Sequence, residues 1–166
     1  MRFSMSALIL MLVGFAPNLL RAEARSDGRI ELTVASDKPV SVGRGDLAKL
    51  PRVDVKAKAH DDEAIWSGVP LRTLLEAHGA PLGERLRGRR LASYVVVTAA
   101  DGYRVVFSLG ELDEALGDST AFLADLKDGV EMGPEEGPFR IVVPDESRPA
   151  RWVRQVRRIE LVDVAE

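Results

Sequence analysis

The sequence predicts a single α+β domain that is rich in β-strands and carries a few short helices. Short runs alternate between apolar and polar residues, which is typical of half-buried strands. Two or three short amphipathic segments interrupt these runs, and no repeats or internal linkers divide the 166 residues. With 46% hydrophobic residues, a chain of this length can bury one ordinary core.

The first 24 residues have the three regions of a secretory signal peptide. Arg2 gives a positive start, residues 7–13 an apolar run, and residues 22–24 an A-x-A cleavage site. The apolar run is too short for a spanning helix, although an uncleaved anchor is the alternative. No Arg-Arg pair precedes it, which favours the general secretory route. We expect a periplasmic or secreted domain over residues 25–166, without a membrane span after processing.

The first part of this domain predicts three one-sided strands. Apolar residues alternate with polar ones over residues 30–34, 40–42 and 53–58. A short helix over residues 47–50 is predicted between the second and third strands. Residues 60–63, a histidine followed by three acids, predict a polar loop.

A helix is predicted after Pro70, which suits the first helical turn. Its apolar face consists of Leu71, Leu74 and Leu75, and Gly79 ends it.

The strongest local signal is YVVVTAADGYRVVFS, residues 94–108. Two β-rich runs flank Asp101 and Gly102, a pair that predicts a type I′ turn and therefore a central hairpin. Ser108 and Glu111 then form a capping box, which predicts a helix with Leu116 as its last inward residue.

The remainder of the chain predicts further strands, with a second Asp-Gly turn at residues 128–129 and one helical turn at residues 150–153. These strands cover residues 121–126, 139–143 and 159–162.

In this order, the signals resemble the molybdopterin-binding domain of the sulfite oxidase family, and more narrowly its small exported stand-alone members. The resemblance extends from about Leu32 to Val162. It is carried by WSGVPLRTLLEAHG, YVVVTAADGYRVVFSLGEL, GPFRIVVP and ARWVRQVRRIEL. It implies a mixed α+β fold in which the last segment lies beside a pterin cofactor and holds its phosphate.

The resemblance also implies cofactor contacts in that last segment. Arg151 and Arg154 fall on the basic positions of the family, and Arg148 replaces a glycine. Guanidinium groups bind phosphate in a bidentate manner, so these three arginines are the candidate cofactor-binding residues. The residues themselves favour the alternative that the tail arginines form a solvated or salt-bridged surface, for instance with Asp145 or Glu146. These tail arginines are Arg140, Arg148, Arg151, Arg154, Arg157 and Arg158.

The catalytic members of the family bind molybdenum through one cysteine, and this chain has none. The corresponding stretch, AHDDEAIW, offers His60, Asp61 and Asp62, which are poor substitutes for a soft sulfur ligand. We therefore assign no catalytic and no metal-binding residue. No cofactor is expected, and molybdopterin is possible by the resemblance. Trp66 and Trp152 are predicted to pack in the core or at its rim, with stacking on a pterin ring as the alternative.

Three functions stay open at this point. The chain is a non-catalytic binding module, a molybdopterin-dependent oxidoreductase of the sulfite oxidase type that lacks a cysteine ligand, or an unrelated structural domain. The expected partner is a small anionic or pterin-like ligand, or a protein of the cell envelope. A net charge of −3 speaks against nucleic acid as a partner.

Overall fold

The computed structural model describes residues 28–34, 38–60 and 62–164, and the statements below concern these residues. The predicted signal peptide, its cleavage site and Asp61 lie outside them. Ten strands and three α-helices follow one another along the described chain: β1 (Arg29–Thr33), β2 (Val40–Gly43), α1 (Arg44–Leu47), β3 (Val53–Ala59), β4 (Asp62–Pro70), α2 (Leu71–Ala77), β5 (Tyr94–Ala99), β6 (Arg104–Ser108), α3 (Leu109–Leu112), β7 (Phe122–Lys127), β8 (Val130–Glu131), β9 (Arg140–Val142) and β10 (Val156–Val162). Three short 3₁₀ helices lie at Gly83–Arg85, Gly88–Ala92 and Pro149–Arg151.

The strands form two five-stranded sheets in the described part of the chain. The first has the order β2-β1-β10-β5-β6, and the second has the order β3-β4-β7-β8, with β9 paired to β7. Strand β1 is parallel to β10, whereas the other pairs are antiparallel. The α+β fold class predicted from the sequence is confirmed.

One hydrophobic cluster joins the inward faces of both sheets to α2. Alternation along β5 buries Val95 and Val97, and alternation along β10 buries Ile159 and Leu161. The helix α2 buries its predicted leucine face and is followed by Gly79 at a φ of 94°. Packing in this core fixes the positions of the strand ends.

The central hairpin is confirmed, but its turn is of another type. Only Gly102 has a positive φ, 88°, in the loop between β5 and β6, whereas a type I′ turn requires positive φ at both central residues. The Ala99 carbonyl accepts the Gly102 N–H at 3.1 Å. The second Asp-Gly pair does have the type I′ signature, since Asp128 and Gly129 lie at φ 50° and 76° between the paired strands β7 and β8.

The helix after Ser108 is shorter than predicted, and one of the two hydrogen bonds of its predicted capping box is present. Ser108 Oγ accepts the Glu111 N–H at 3.0 Å, and α3 ends at Leu112. The Asp113 carbonyl then accepts three successive N–H groups, from residues 116, 117 and 118, which closes a turn instead of extending the helix. Leu116 is 60% exposed as a result, so its prediction as an inward residue is wrong.

Two other predicted boundaries shift. The helix α1 begins at Arg44 rather than residue 47, because the Asp46 carboxylate accepts the Gly43 N–H at 3.1 Å and fixes the first turn. The predicted polar loop at residues 60–63 is cut short, because β4 already begins at Asp62, which pairs with Ala59, and His60 takes a φ of 57°.

Candidate functional site

A cavity of about 1100 Å³, here called the main cavity, opens where four segments meet. These segments are the β3–β4 turn, the β5–β6 loop, the loop of residues 133–138, and residues 149–155 before β10. The charged residues of its lining are His60, Asp62, Asp101, Glu135, Glu136, Arg140 and Arg154. Irregular backbone positioned by two sheets is the usual setting for a binding site.

Arg140 lies at the base of the main cavity between two tryptophan rings. Its guanidinium carbon is 4.7 Å from the centroid of Trp66 and 5.5 Å from that of Trp152. The two rings contact each other edge to face, with centroids 5.9 Å apart. Their indole N–H groups donate to the carbonyls of Ala57 and Val143. The rings are therefore fixed, and they hold the guanidinium by two cation–π contacts.

Burial makes Arg140 depend on a carboxylate partner. Its side chain is 8% exposed, Nη1 donates to Glu136 Oε1 at 2.8 Å, and the buried Nε has no hydrogen-bond partner. Burial lowers the pKa of Arg140, the Glu136 carboxylate opposes this effect, and the positive charge of Arg154 adds to it. The interpretation of the tail arginines as surface residues is thus wrong for Arg140, because β9 places it beneath the cavity.

A second cation–carboxylate pair lies next to the first. Lys127 bonds Asp62, stands 3.6 Å from Glu136, and lies 5.1 Å from the Trp66 ring centroid. The hydrogen bond to Asp62 raises the pKa of Lys127. The base of the cavity therefore carries paired charges.

The three candidate arginines do not point to one place. Arg154 is exposed and lines the main cavity. Arg148 lines a smaller cavity of about 550 Å³, together with Lys58 and Glu146. This smaller cavity shares His60 with the main one.

Arg151 lines neither cavity and belongs to a separate ion-pair network, which includes Glu146 from the lining of the smaller cavity. Its Nη1 pairs with Glu111 at 2.7 Å, its Nε donates to Glu146 at 2.5 Å, and its guanidinium carbon lies 4.4 Å from the Phe107 centroid. Burial alone would lower the pKa of Arg151, but the bonds to Glu146 and Glu111 outweigh it and raise that pKa. The pairing with Glu146 agrees with the salt-bridge alternative. A role for these three arginines in ligand binding stays a prediction.

Several lining residues were not found from the sequence. Gln155 lies outside any helix and has a positive φ of 49°, and its Nε2 donates to the Pro134 carbonyl at 2.5 Å. Its backbone N–H donates to the Glu136 carbonyl at 3.0 Å. Gln155 thereby holds the loop of residues 133–138 beside the cavity. Tyr103 does the same for the β5–β6 loop, because its hydroxyl donates to the Ala150 carbonyl at 2.7 Å.

Comparison with known proteins agrees with this geometry. The chain matches the oxidoreductase molybdopterin binding domain over residues 22–166, and it belongs to that family. A search of curated proteins finds no match.

A solved structure shares the fold. The crystal structure of the sulfane dehydrogenase SoxCD from Paracoccus pantotrophus superposes with a TM-score of 0.62 at 19% sequence identity. The match covers 85% of this chain and 40% of that chain, so the protein spans less than half the length of this relative. At this identity the likeness establishes the fold.

The family implies a molybdenum-bearing pterin, and the donor set does not fit the metal. The sequence contains no cysteine to supply a thiolate. Among the described residues, no group of three or more His, Cys, Asp or Glu side chains is placed to hold a metal ion. The main cavity does have the space, a tryptophan ring and the mixed hydrogen-bonding groups that an organic ring would need. In the described residues, no helix is long and apolar enough to span a membrane.

Proposed function

We propose that this protein is an exported, non-catalytic binding module that takes a small pterin-like ligand into the main cavity. The observation that carries the proposal is the cavity itself. Its volume of about 1100 Å³ suits a small organic molecule, and it combines the Trp152 ring with carboxylate and guanidinium groups. Such a lining recognises a ligand by ring contact and hydrogen bonding, and needs no metal.

The side chains at hand support binding better than chemistry. The sequence has no cysteine that could act as a nucleophile. Of its two histidines, His60 lines the cavity and His78 contacts the Leu74 carbonyl of α2 at 2.8 Å. Among the described residues, neither histidine is bonded to a hydroxyl that it could activate as a nucleophile. Arg140 and Lys127 are engaged by carboxylates, which suits a rigid recognition surface.

Export is the second part of the proposal. The charged start, apolar run and A-x-A site of residues 1–24 support a cleavable secretory signal. The general secretory route threads unfolded chains, so a ligand would be acquired outside the cytoplasm. Capture of a ligand from the periplasm or medium, or by contact with an envelope protein, is consistent with such a route.

Membership of the family favours a second candidate, an oxidoreductase that carries molybdopterin without a cysteine ligand. Native mass spectrometry of protein purified from its own host distinguishes the two. A binding module is expected to retain a metal-free small molecule, or to accept one on titration, and to show no sulfite oxidation or sulfoxide reduction. A molybdenum-bearing adduct together with turnover of either substrate would contradict the proposal.

A further inference from the structure

The charges around the main cavity have an excess of negative sign. Four carboxylates line it, against two guanidinium groups and the ammonium group of Lys127, which pairs with Asp62 at the base, with His60 counted as neutral. The carboxylates are Asp62, Asp101, Glu135 and Glu136, and the guanidinium groups are Arg140 and Arg154. A cavity designed around a phosphate would be expected to have the opposite balance.

Internal pairs occupy Arg140 and Lys127 together with two of the four lining carboxylates. Arg140 is held by Glu136, and the carboxylate of Asp62 is held by Lys127. Arg151, which the family resemblance assigns to the phosphate, is held by two carboxylates outside the cavity. Of the cations implied by the resemblance, Arg154 alone lines the main cavity among the described residues.

Two carboxylates at the cavity are open to a ligand. Asp101 uses Oδ1 to accept the Tyr103 N–H at 2.8 Å, and its side chain is exposed at the loop tip. Glu135 is exposed and forms no hydrogen bond or ion pair within the described residues. Carboxylates accept hydrogen bonds and have no donors when ionised, so a ligand here must bring N–H or O–H groups.

We propose that the main cavity selects a neutral or cationic nitrogen heterocycle with N–H donors, and rejects the phosphorylated form of such a ring. The inference rests on the proposed binding function and specifies its ligand class. In this arrangement the ring lies against Trp152 and its N–H edge faces Asp101 and Glu135. Arg154 donates a hydrogen bond to an oxygen or nitrogen acceptor of the ring. A dianionic phosphate would meet Asp101 and Glu135, two carboxylates of the cavity lining that form no ion pair within the described residues.

A matched pair of probes tests this selectivity. The probes are 6-hydroxymethylpterin and its phosphate monoester, which differ by the phosphate group alone, titrated by pterin fluorescence into the full mature protein. We expect the unphosphorylated ring to bind at least about tenfold more tightly, a ratio that corresponds to one repulsive contact of ordinary strength. Equal affinities, or tighter binding of the phosphate ester, would overturn the inference.

Charge-neutral variants identify the residues responsible. The double change Asp101→Asn and Glu135→Gln keeps the hydrogen-bond acceptor for Tyr103 but removes both charges. The preference for the unphosphorylated probe should then fall to less than about threefold. Glu84→Gln, an exposed change outside the cavity, is the matched control and should keep the full preference.

The outcomes separate this inference from the proposed function. Tighter binding of the phosphate ester refutes the ligand class but leaves a binding module. Binding of neither probe also refutes the ligand class, and native mass spectrometry of the host protein then judges the binding function independently. A preference that survives the double change would refute the assignment to Asp101 and Glu135.

Discussion

Replacing the carboxylate of Glu136 is expected to destabilise the domain, because it leaves the buried Arg140 guanidinium between two indole rings without its carboxylate partner. Losing one partner of a fully buried ion pair costs about 3–5 kcal/mol, and a charge-assisted hydrogen bond contributes about 1.5–3 kcal/mol. Arg140 is 8% exposed but Glu136 is 28% exposed, so water at the cavity can replace part of the lost contact. The Glu136→Gln change should therefore cost about 2 kcal/mol.

Urea denaturation followed by tryptophan fluorescence measures this loss directly. A change of about 2 kcal/mol corresponds to a fall in Tm of roughly 5–10 °C for a domain of this size. Glu135→Gln is the matched control, because that side chain occupies the same loop and has no ion pair among the described residues. Its effect should stay within about 0.5 kcal/mol.

A double-mutant cycle separates the pair from other effects of the loop. Arg140→Met removes the charge and keeps an unbranched apolar side chain between the rings. In that background Glu136→Gln should cost less than about 0.5 kcal/mol, because no buried cation is left without a partner. Equal costs of Glu136→Gln in both backgrounds, or no cost in the unaltered protein, would refute the account of the cavity base.

Four other outcomes are expected. Gly102→Val should cost about 1–3 kcal/mol because it forces a β-branched residue to a φ of 88°, and an unchanged Tm would contradict this. A backbone N–H bond lowers the pKa of Asp46 below its usual 3.8, so its stabilising effect is present above that pH and is lost as the pH falls through the lowered pKa. Asp46→Asn should accordingly flatten the dependence of stability on pH below about pH 4, and an unaltered acid limb would count against it. Arg154→Gln should weaken binding of the pterin probes at unchanged Tm, whereas Arg151→Gln should lower the free energy of unfolding by about 1–2 kcal/mol. The reverse pattern would show that Arg151, and not Arg154, contacts the ligand. Intact-mass measurement of envelope material should show cleavage after Ala24, and an unprocessed N-terminus would exclude it.

Local patterns predicted the strands well because period-two alternation reports directly on one buried face. The turn types could not be read in the same way. Both Asp-Gly pairs tolerate positive φ, and the flanking strand register decides the geometry: Lys127 pairs directly with Val130, whereas the β5–β6 loop is longer. Leu116 was misplaced because the carbonyl of Asp113 closes a turn where helical spacing would continue.

The site was harder to predict than the fold because its contacts are distant in sequence. Arg151 and Arg154 share a three-residue spacing that suits one face, but the 3₁₀ turn Pro149–Arg151 ends at Trp152, whose φ of −79° and ψ of 85° are not helical. Arg151 therefore pairs with Glu111 and Glu146, whereas Arg154 lines the main cavity. Arg140 looked like one more surface arginine. The available signal was its place inside the apolar run FRIVV, where a charge must find a partner.

Molybdenum content of the protein purified from its native host distinguishes a metal-free binding module from a molybdenum enzyme. We expect far less than one molybdenum per chain, because the sequence has no thiolate and the described residues offer no metal-binding group. A content close to one molybdenum per chain would contradict it, and would show that the family's cofactor is held here without a cysteine ligand.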